Sequence, residues 1–384
     1  MYLIKRAIFE QIKENLSSPE NKVIIIYGPR QAGKTTFISQ IKEGIKTKIL
    51  EFTGDDLQAQ KIFSRHELTY LKEIITGYDL LIIDEAQRIE NISQTLKLII
   101  DNFNLKIIVS GSASFDLANK INESLTGRTR TYWLYPFAFA EIKEFHKTEM
   151  PETVLENFLR FGMMPKTHQL ANESEKINYL YEYINTYLSK DILMFGDIRK
   201  PKKVIDLLTL LALQISQEVS IPELAQNLSI SQLTVNKYLD ILEKMFVIIN
   251  LRGFSRNLRK EVSKSSKYYF VDVGIRNALI RNFNPMAMRD DFGGLFENFF
   301  IIEKMKKSHY QNQPANFYFW RTYDQKEIDL IEEREGKLIG YECKWTGKNQ
   351  KVPSEWLETY ANSSYELISK DNYEKYLYYD KIEL

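Results

Sequence analysis

Apolar residues along this chain fall into two alternating rhythms. Short runs rich in β-branched residues read as strands buried on both faces: Val23-Ile24-Ile25-Ile26-Tyr27, Leu80-Leu81-Ile82-Ile83 and Leu105-Lys106-Ile107-Ile108-Val109. Thr47–Phe52 and Tyr132–Phe137 are further strand candidates. In Thr36–Lys42, and in the stretch running to about residue 77, apolar residues recur at helical spacing. Strand alternating with helix is the pattern of a parallel α/β sheet. Residues 1–20 read as a leading amphipathic helix that ends near Ser17-Ser18-Pro19.

Past residue 140 the rhythm changes. Residues 141–200 are helical in pattern, broken at Phe158–Pro165, and by position form a small lid. Residues 203–275 read as a winged helix-turn-helix. Val204–Ala212 is one helix, and Ser220 caps a second with Pro222 early in it. Ser229-Ile230-Ser231 is the turn, and Gln232–Leu242 puts Val235, Leu239 and Leu242 on one face. Val247–Leu251 and Lys267–Val271 would be the strands of the wing. Arg281–Asp291 reads as a linker. The remainder gives the order α-β-β-β-α-β: a helix from Phe292, strands at Asn316–Arg321, Glu327–Ile331 and Leu338–Lys344, a helix at Ser354–Tyr360 and a strand at Tyr365–Ile368.

The turn after the first strand carries the chemistry of the amino-terminal half. Gly28-Pro29-Arg30-Gln31-Ala32-Gly33-Lys34-Thr35 has the phosphate-binding spacing G-x-x-x-x-G-K-[ST], and Thr36 continues into the helix. Its glycines let backbone N–H groups turn toward phosphate oxygens, and the helix points its positive end at the same place. Lys34 can reach the β- and γ-phosphates of ATP, and the Thr35 hydroxyl can sit on magnesium (Mg²⁺). Asp84, at the end of a buried strand, can hold the Mg²⁺ shell, and Glu85 can orient and deprotonate the attacking water. Ser110 and Ser112 either sense the γ-phosphate or make only a turn. Arg128, in Gly127-Arg128-Thr129-Arg130, either neutralises transition-state charge, in its own subunit or a neighbour's, or faces solvent.

Composition narrows the class. A chain of 384 residues is long for one core, so two to four domains are expected. Apolar content of 44% and charged content of 27% exclude a disordered or fibrous chain. A formal net charge of +1 means that any nucleic-acid surface must be a local basic patch. The single cysteine, Cys343, excludes an internal disulfide and fits a reducing cytoplasm, and the scattered His66, His146, His168 and His309 argue against a structural zinc. No apolar run reaches membrane-spanning length, so no membrane partner is expected.

Two places suit nucleic acid. Between the wing strands lie Arg252, Arg256, Arg259, Lys260, Lys264 and Lys267, opposed only by Glu261, which suits a phosphate backbone. The exposed Gln232, Thr234, Asn236 and Lys237 of the second helix are weaker base readers, and a basic loop is also often just solvated. Further on, Asp329 and Glu342-x-Lys344 are polar residues inside apolar strands. Glu342 and Lys344 share a strand face, with Cys343 on the other, and pairing with the preceding strand adds Asp329. The carboxylates can hold Mg²⁺, Glu297 could complete the shell, and Lys344 can orient hydroxide or neutralise a developing phosphorane. The alternatives are a salt-bridge cluster or a site kept for binding only.

Gly28–Thr36, Leu81-Ile82-Ile83-Asp84-Glu85-Ala86-Gln87, Ser110-Gly111-Ser112 and Leu125-Thr126-Gly127-Arg128 together resemble the AAA+-like ATPases of bacteria and archaea that carry a C-terminal DUF4143 domain. The resemblance implies a five-stranded parallel P-loop sheet with helices on both faces, and assembly into a homo-oligomeric ring. The Asp329/Glu342/Lys344 cluster resembles the PD-(D/E)xK nuclease superfamily, which implies a restriction-endonuclease-like α/β domain. The expected organisation is a P-loop ATPase core at 1–140, a helical lid at 141–202, a winged helix at 203–280 and a nuclease-like domain at 281–384. The expected function is ATP hydrolysis coupled to action on DNA or RNA. The alternative is a nucleotide-controlled switch that binds a protein or DNA partner without cleavage.

Overall fold

The computed structural model describes residues 4–112, 125–146, 152–194, 198, 200–255, 266–322, 326–347 and 352–379. Its contacts divide the chain into two compact units, the first of Met1–Pro136, Lys244–Phe246 and Glu383–Leu384 and the second of Phe137–Glu243 and Val247–Ile382.

The first unit is built on five strands: β1 (Val23–Gly28), β2 (Ile49–Thr53), β3 (Leu80–Asp84), β4 (Lys106–Ser112) and β5 (Thr129–Trp133). They lie in the order β2-β3-β4-β1-β5 with every neighbouring pair parallel. β1 is buried at every position, as are the first four residues of β3, which is why both read as continuous apolar runs. Helices α1 (Phe9–Ser17), α2 (Lys34–Glu43), α3 (Leu57–Phe63), α4 (Leu68–Ile75) and α5 (Ile92–Asn102) make the connections. Ile25, Ile83 and Val109 of three adjacent strands meet Phe63, Leu71 and Leu96 in one core.

Two details differ from expectation. β4 runs on through Ser110-Gly111-Ser112, paired with Ile26-Tyr27-Gly28, so these serines are strand residues and not a turn. Gly28 is required by the sheet more than by phosphate. A Cβ there would lie 2.1 Å from the Leu134 carbonyl oxygen, because the chain leaving β5 closes on β1 through Leu134 N–H donating to Tyr27 O at 2.6 Å.

The second unit opens with α6 (Phe139–His146), α7 (Glu152–Phe161) and α8 (Glu173–Glu182), and α8 runs into a π-helical stretch, Tyr183–Leu188, then α9 (Ser189–Met194). It continues with α10 (Pro201–Leu213), β6 (Glu218–Val219), α11 (Ile221–Leu228), α12 (Gln232–Lys244), β7 (Ile248–Gly253), β8 (Ser266–Phe270) and α13 (Val273–Leu279). The long α14 (Phe292–Tyr310) leads to β9 (Asn316–Arg321), β10 (Glu327–Arg334), β11 (Lys337–Cys343), α15 (Ser354–Thr359), β12 (Ser363–Ile368) and α16 (Glu374–Leu377).

β6 to β12 form one seven-stranded sheet in the order β12-β11-β10-β9-β7-β8-β6. The parallel pairing of Arg252 with Tyr318 and Gly253 with Phe319 fuses the strands expected for the wing to those of the carboxyl-terminal module. The segment expected to be a linker is also pinned. Arg289 is buried and donates to Asp291 (2.7 Å), to Asn277 Oδ1 (3.0 Å) and to the Asn282 carbonyl, and Arg276 reaches the same Asp291 carboxylate. The lid segment belongs here too: buried Asp272 accepts from Met163 N at 2.6 Å, and Asn277 donates to the Leu159 and Arg160 carbonyls.

Replacing Gly28 by alanine forces two backbones apart and is expected to cost about 2–3 kcal/mol of stability. Denaturant unfolding checks this; an unchanged midpoint would contradict the packing described.

Candidate functional site

The first site grows from the turn between β1 and α2. Gln31 (φ 62°) and Gly33 (φ 92°) take left-handed conformations, which curl Pro29–Gly33 into a cradle ahead of α2. Ala32 N donates back to Pro29 O at 3.2 Å and closes the loop, and Arg30 lies half-buried within it. Lys34, the first residue of α2, is buried and donates to the Gly28 (3.0 Å) and Pro29 (3.1 Å) carbonyls. Thr35 and Thr36 are exposed in the first turn of the helix.

β4 stands between β1 and β3, and three donors converge on Asp84 at the end of β3. Thr35 Oγ1 donates to Oδ2 at 2.6 Å, while the Ser110 hydroxyl and the Glu85 N–H (3.0 Å) donate to Oδ1. A carboxylate and a hydroxyl side by side beside a phosphate cradle are hard oxygen ligands suited to Mg²⁺. Glu85 is left-handed (φ 49°), a costly conformation for a side chain, and Gly54 leaves room for its carbonyl. Its carboxylate accepts from the Gln87 amide, which also donates to Ser112 Oγ at 2.9 Å.

Arg128 is not among these residues. Its carbonyl accepts from Val23 N at the amino-terminal end of β1, the end away from the phosphate loop, and its guanidinium pairs with Asp101 of α5 at 2.9 Å. Within this chain it cannot reach the phosphates: nearness to β5 in sequence did not say at which end of the sheet it would stand. Arg160, on α7, makes a two-pronged salt bridge to Glu173. Arg6 was not singled out from the sequence, yet it is buried and donates to the Ala32 carbonyl of the loop (2.9 Å) and to the Tyr135 carbonyl (2.5 Å).

The second site is a cleft of about 660 Å³ in the second unit, into which Lys267, Glu297, Glu327, Asp329, Glu342 and Lys344 face. Antiparallel pairing of Leu330 with Tyr341 brings Asp329 beside Glu342, and Cys343 N donates to Asp329 Oδ2 at 2.8 Å. Lys344 Nζ lies 2.8 Å from Glu342 Oε1, while the buried Glu342 Oε2 has no hydrogen-bond partner. Lys267 of β8 is 2% exposed. Its ammonium is paired with Glu327 and lies 3.5 Å from Glu297 Oε1, which also accepts from Tyr269 Oη at 2.6 Å. The expected solvated wing lysine is therefore interior; of its companions, Arg252 is exposed, and Arg256, Arg259, Lys260 and Lys264 lie outside the described residues. The hint in the sequence was period two: Lys267 and Tyr269 share a face of an otherwise apolar strand, and both meet Glu297.

Burial dominates the electrostatics. It pushes Glu297 up to about 8 with Asp329 adding to it, Glu342 up to about 7 with the same help, and Asp329 above the usual carboxylate range. Burial also works against the charge on Lys267, but Glu297, Asp329 and Glu327 outweigh it and hold the ammonium well above the ordinary lysine value. Among the described residues no group of three or more His, Cys, Asp or Glu is set to hold a metal. One oxygen of Glu297, Oε1, is already engaged by Lys267 and Tyr269. Asp329 and the unpartnered Glu342 oxygen remain, and two carboxylates with water suit a Mg²⁺-type cation.

Three segments match known families: residues 20–143 an AAA domain, residues 152–286 a domain of unknown function (DUF8612) and residues 292–381 a domain of unknown function (DUF4143). The chain thus carries a P-loop ATPase domain followed by a carboxyl-terminal DUF4143 domain. It is 29% identical over 330 residues to uncharacterized protein Rv2008c of Mycobacterium tuberculosis, covering 84% of this chain and 70% of that protein. It is 25% identical over 352 residues to uncharacterized protein MJ1544 of Methanocaldococcus jannaschii, covering 86% and 77%. Among solved structures it is similar in fold to the Walker-type ATPase PABY2304 of Pyrococcus abyssi, with TM-score 0.51, 15% identity and coverage of 72% and 96%. No helix among the described residues is long and apolar enough to cross a membrane.

Glu342 and Glu297 hold protons more tightly folded than unfolded, so their contribution to stability is full below about pH 4.5. It is lost as pH rises through about 7 for Glu342 and about 8 for Glu297. With chelator present, the unfolding midpoint should fall between pH 5 and pH 9, and Glu342→Gln should flatten that fall. An equally steep fall in the variant would contradict the assignment.

Proposed function

We propose that the first unit binds ATP with Mg²⁺ and hydrolyses it, and that its nucleotide state governs a nuclease-like cleft in the second unit acting on the phosphodiester backbone of DNA or RNA. The observation that carries the ATPase reading is the convergence of Thr35 and Ser110 on Asp84 beside the loop that Lys34 closes. Lys34 would exchange its loop carbonyls for phosphate oxygens. Thr35 and Asp84 would hold the magnesium, which neutralises charge on the phosphates when bound. Glu85 is the general base for water, Gln87 keeps its carboxylate oriented, and Ser110 and Ser112 report on the γ-phosphate.

In the second unit, Lys344 beside Glu342 is the group that would activate water, with Asp329 and Glu342 as ligands. The order α10-β6-α11-α12-β7-β8 supports a winged-helix reading, with Ser220 capping α11 through the Glu223 N–H and Ser229 (φ 53°) making the turn. Exposed Gln232, Asn236 and Lys237 on α12 would face nucleic acid. The buried ammonium of Lys267 among the cleft carboxylates favours a second reading, a nucleotide-dependent switch that binds DNA or protein without cutting it. A cytoplasmic homo-oligomer is the setting in which Arg128 would serve another copy's nucleotide.

Glu85→Gln is expected to lower ATP turnover by about 10²- to 10³-fold while MgATP still binds. Metal-dependent nicking of DNA should be abolished by Lys344→Ala and only slowed by Lys34→Ala. If Glu85→Gln turns over at the wild-type rate, the base is misassigned. If turnover falls but no metal supports nicking of linear, branched or single-stranded DNA, the switch reading replaces the nuclease one.

A further inference from the structure

The cleft of the second unit holds more carboxylates than a metal site of this kind uses, and a lysine from outside the DUF4143-matching segment is buried among them. Lys267 sits on β8, while the DUF4143 match begins at residue 292. Its ammonium pairs with Glu327 and stands 3.5 Å from Glu297, and its side chain is 2% exposed over the Phe319 ring. Glu327 also has Arg321 Nε at 3.8 Å, and Glu297 is fixed by the Tyr269 hydroxyl. Lys267 holds both acids at once, and drawing both of them onto a cation would leave a buried ammonium unpaired.

Asp329 and Glu342 are placed differently. Asp329 uses one oxygen to accept from a backbone N–H. Glu342 pairs one oxygen with Lys344, which is 43% exposed, and leaves the other buried and without a partner.

We propose that Lys267 is the built-in counter-ion of this cleft, holding Glu297 and Glu327 out of a metal's reach so that the cleft takes one divalent cation, on Asp329 and Glu342. The inference rests on reading the cleft as nuclease-like, and adds that β8 is part of the site. A divalent metal must gather oxygen ligands at 2.0–2.6 Å or so, and the ammonium stands in the way of a second such shell.

Nucleotide-free full-length protein, titrated with Mn²⁺ and followed by the resonance of the free ion, tests this. The wild type should bind about one Mn²⁺, and Glu297→Gln, which can keep its bond to Tyr269, should bind the same number with affinity unchanged. Lys267→Met should bind about two. Asp329→Asn and Glu342→Gln should each weaken binding about tenfold or more. Loss of Mn²⁺ from Glu297→Gln, or a folded Lys267→Met that still binds one, would overturn the role given to Lys267 while the metal reading stands. If the wild type binds none, or Asp329→Asn and Glu342→Gln bind as well as it does, the metal reading falls and this inference with it.

Discussion

The first unit depends on where β4 lies. By entering the sheet between β1 and β3 it spaces the phosphate loop from Asp84 by one strand, about 9.6 Å across two strand separations. That gap is what a threonine on the first turn of α2 and an aspartate at the tip of β3 can close with one hydrogen bond, 2.6 Å long. The same insertion delivers Ser110 to the other oxygen of the carboxylate. Were β1 and β3 direct neighbours, Asp84 would crowd the loop, and no serine would lie between them. All pairings being parallel, the three strand ends that carry this chemistry face one way, at the carboxyl ends of the strands, where ligand clefts form in open α/β sheets.

The second unit is organised by buried charge. Lys267, Glu297, Asp329 and Glu342 are each less than a tenth exposed, and such groups persist only when each is compensated. Compensation here ties together β8, α14, β10 and β11, elements drawn from both sides of residue 281. The parallel joint between β7 and β9 makes this possible by carrying one sheet across the point at which the sequence suggests a boundary. Elsewhere in the unit the same device recurs: Arg276, Arg289 and Asp291 lock the segment ahead of α14, and Lys306 with Glu303 fixes the helix itself.

Much of this was legible in the sequence, for identifiable reasons. Buried parallel strands are continuous apolar runs, so β1, β3 and β4 announce themselves, and the phosphate loop has fixed spacing because its backbone geometry does. The α-β-β-β-α-β order from Phe292 and the pairing of Asp329 with Glu342 follow from alternation and short connections. What stayed hidden was determined by partners far along the chain. Gly28 answers to Leu134, Arg6 to Ala32 and Tyr135, and Lys267 to acids 30 or more residues away. A basic residue beside a basic loop looks solvated until the sheet shows which way it points. Arg281–Asp291 looked like a linker because its polarity is plain in the sequence and its mutual pairing is not.

The claim on which the account turns is that Thr35 and Asp84 form a magnesium-dependent seat for a triphosphate. Calorimetric titration of ATP into the full-length protein, with Mg²⁺ and with chelator, measures it directly, with Thr35→Ala as the comparison. Binding should tighten when Mg²⁺ is present, and the Thr35→Ala protein should lose most of that gain. No heat of ATP binding to folded wild-type protein, or an affinity indifferent to both magnesium and Thr35, would contradict it.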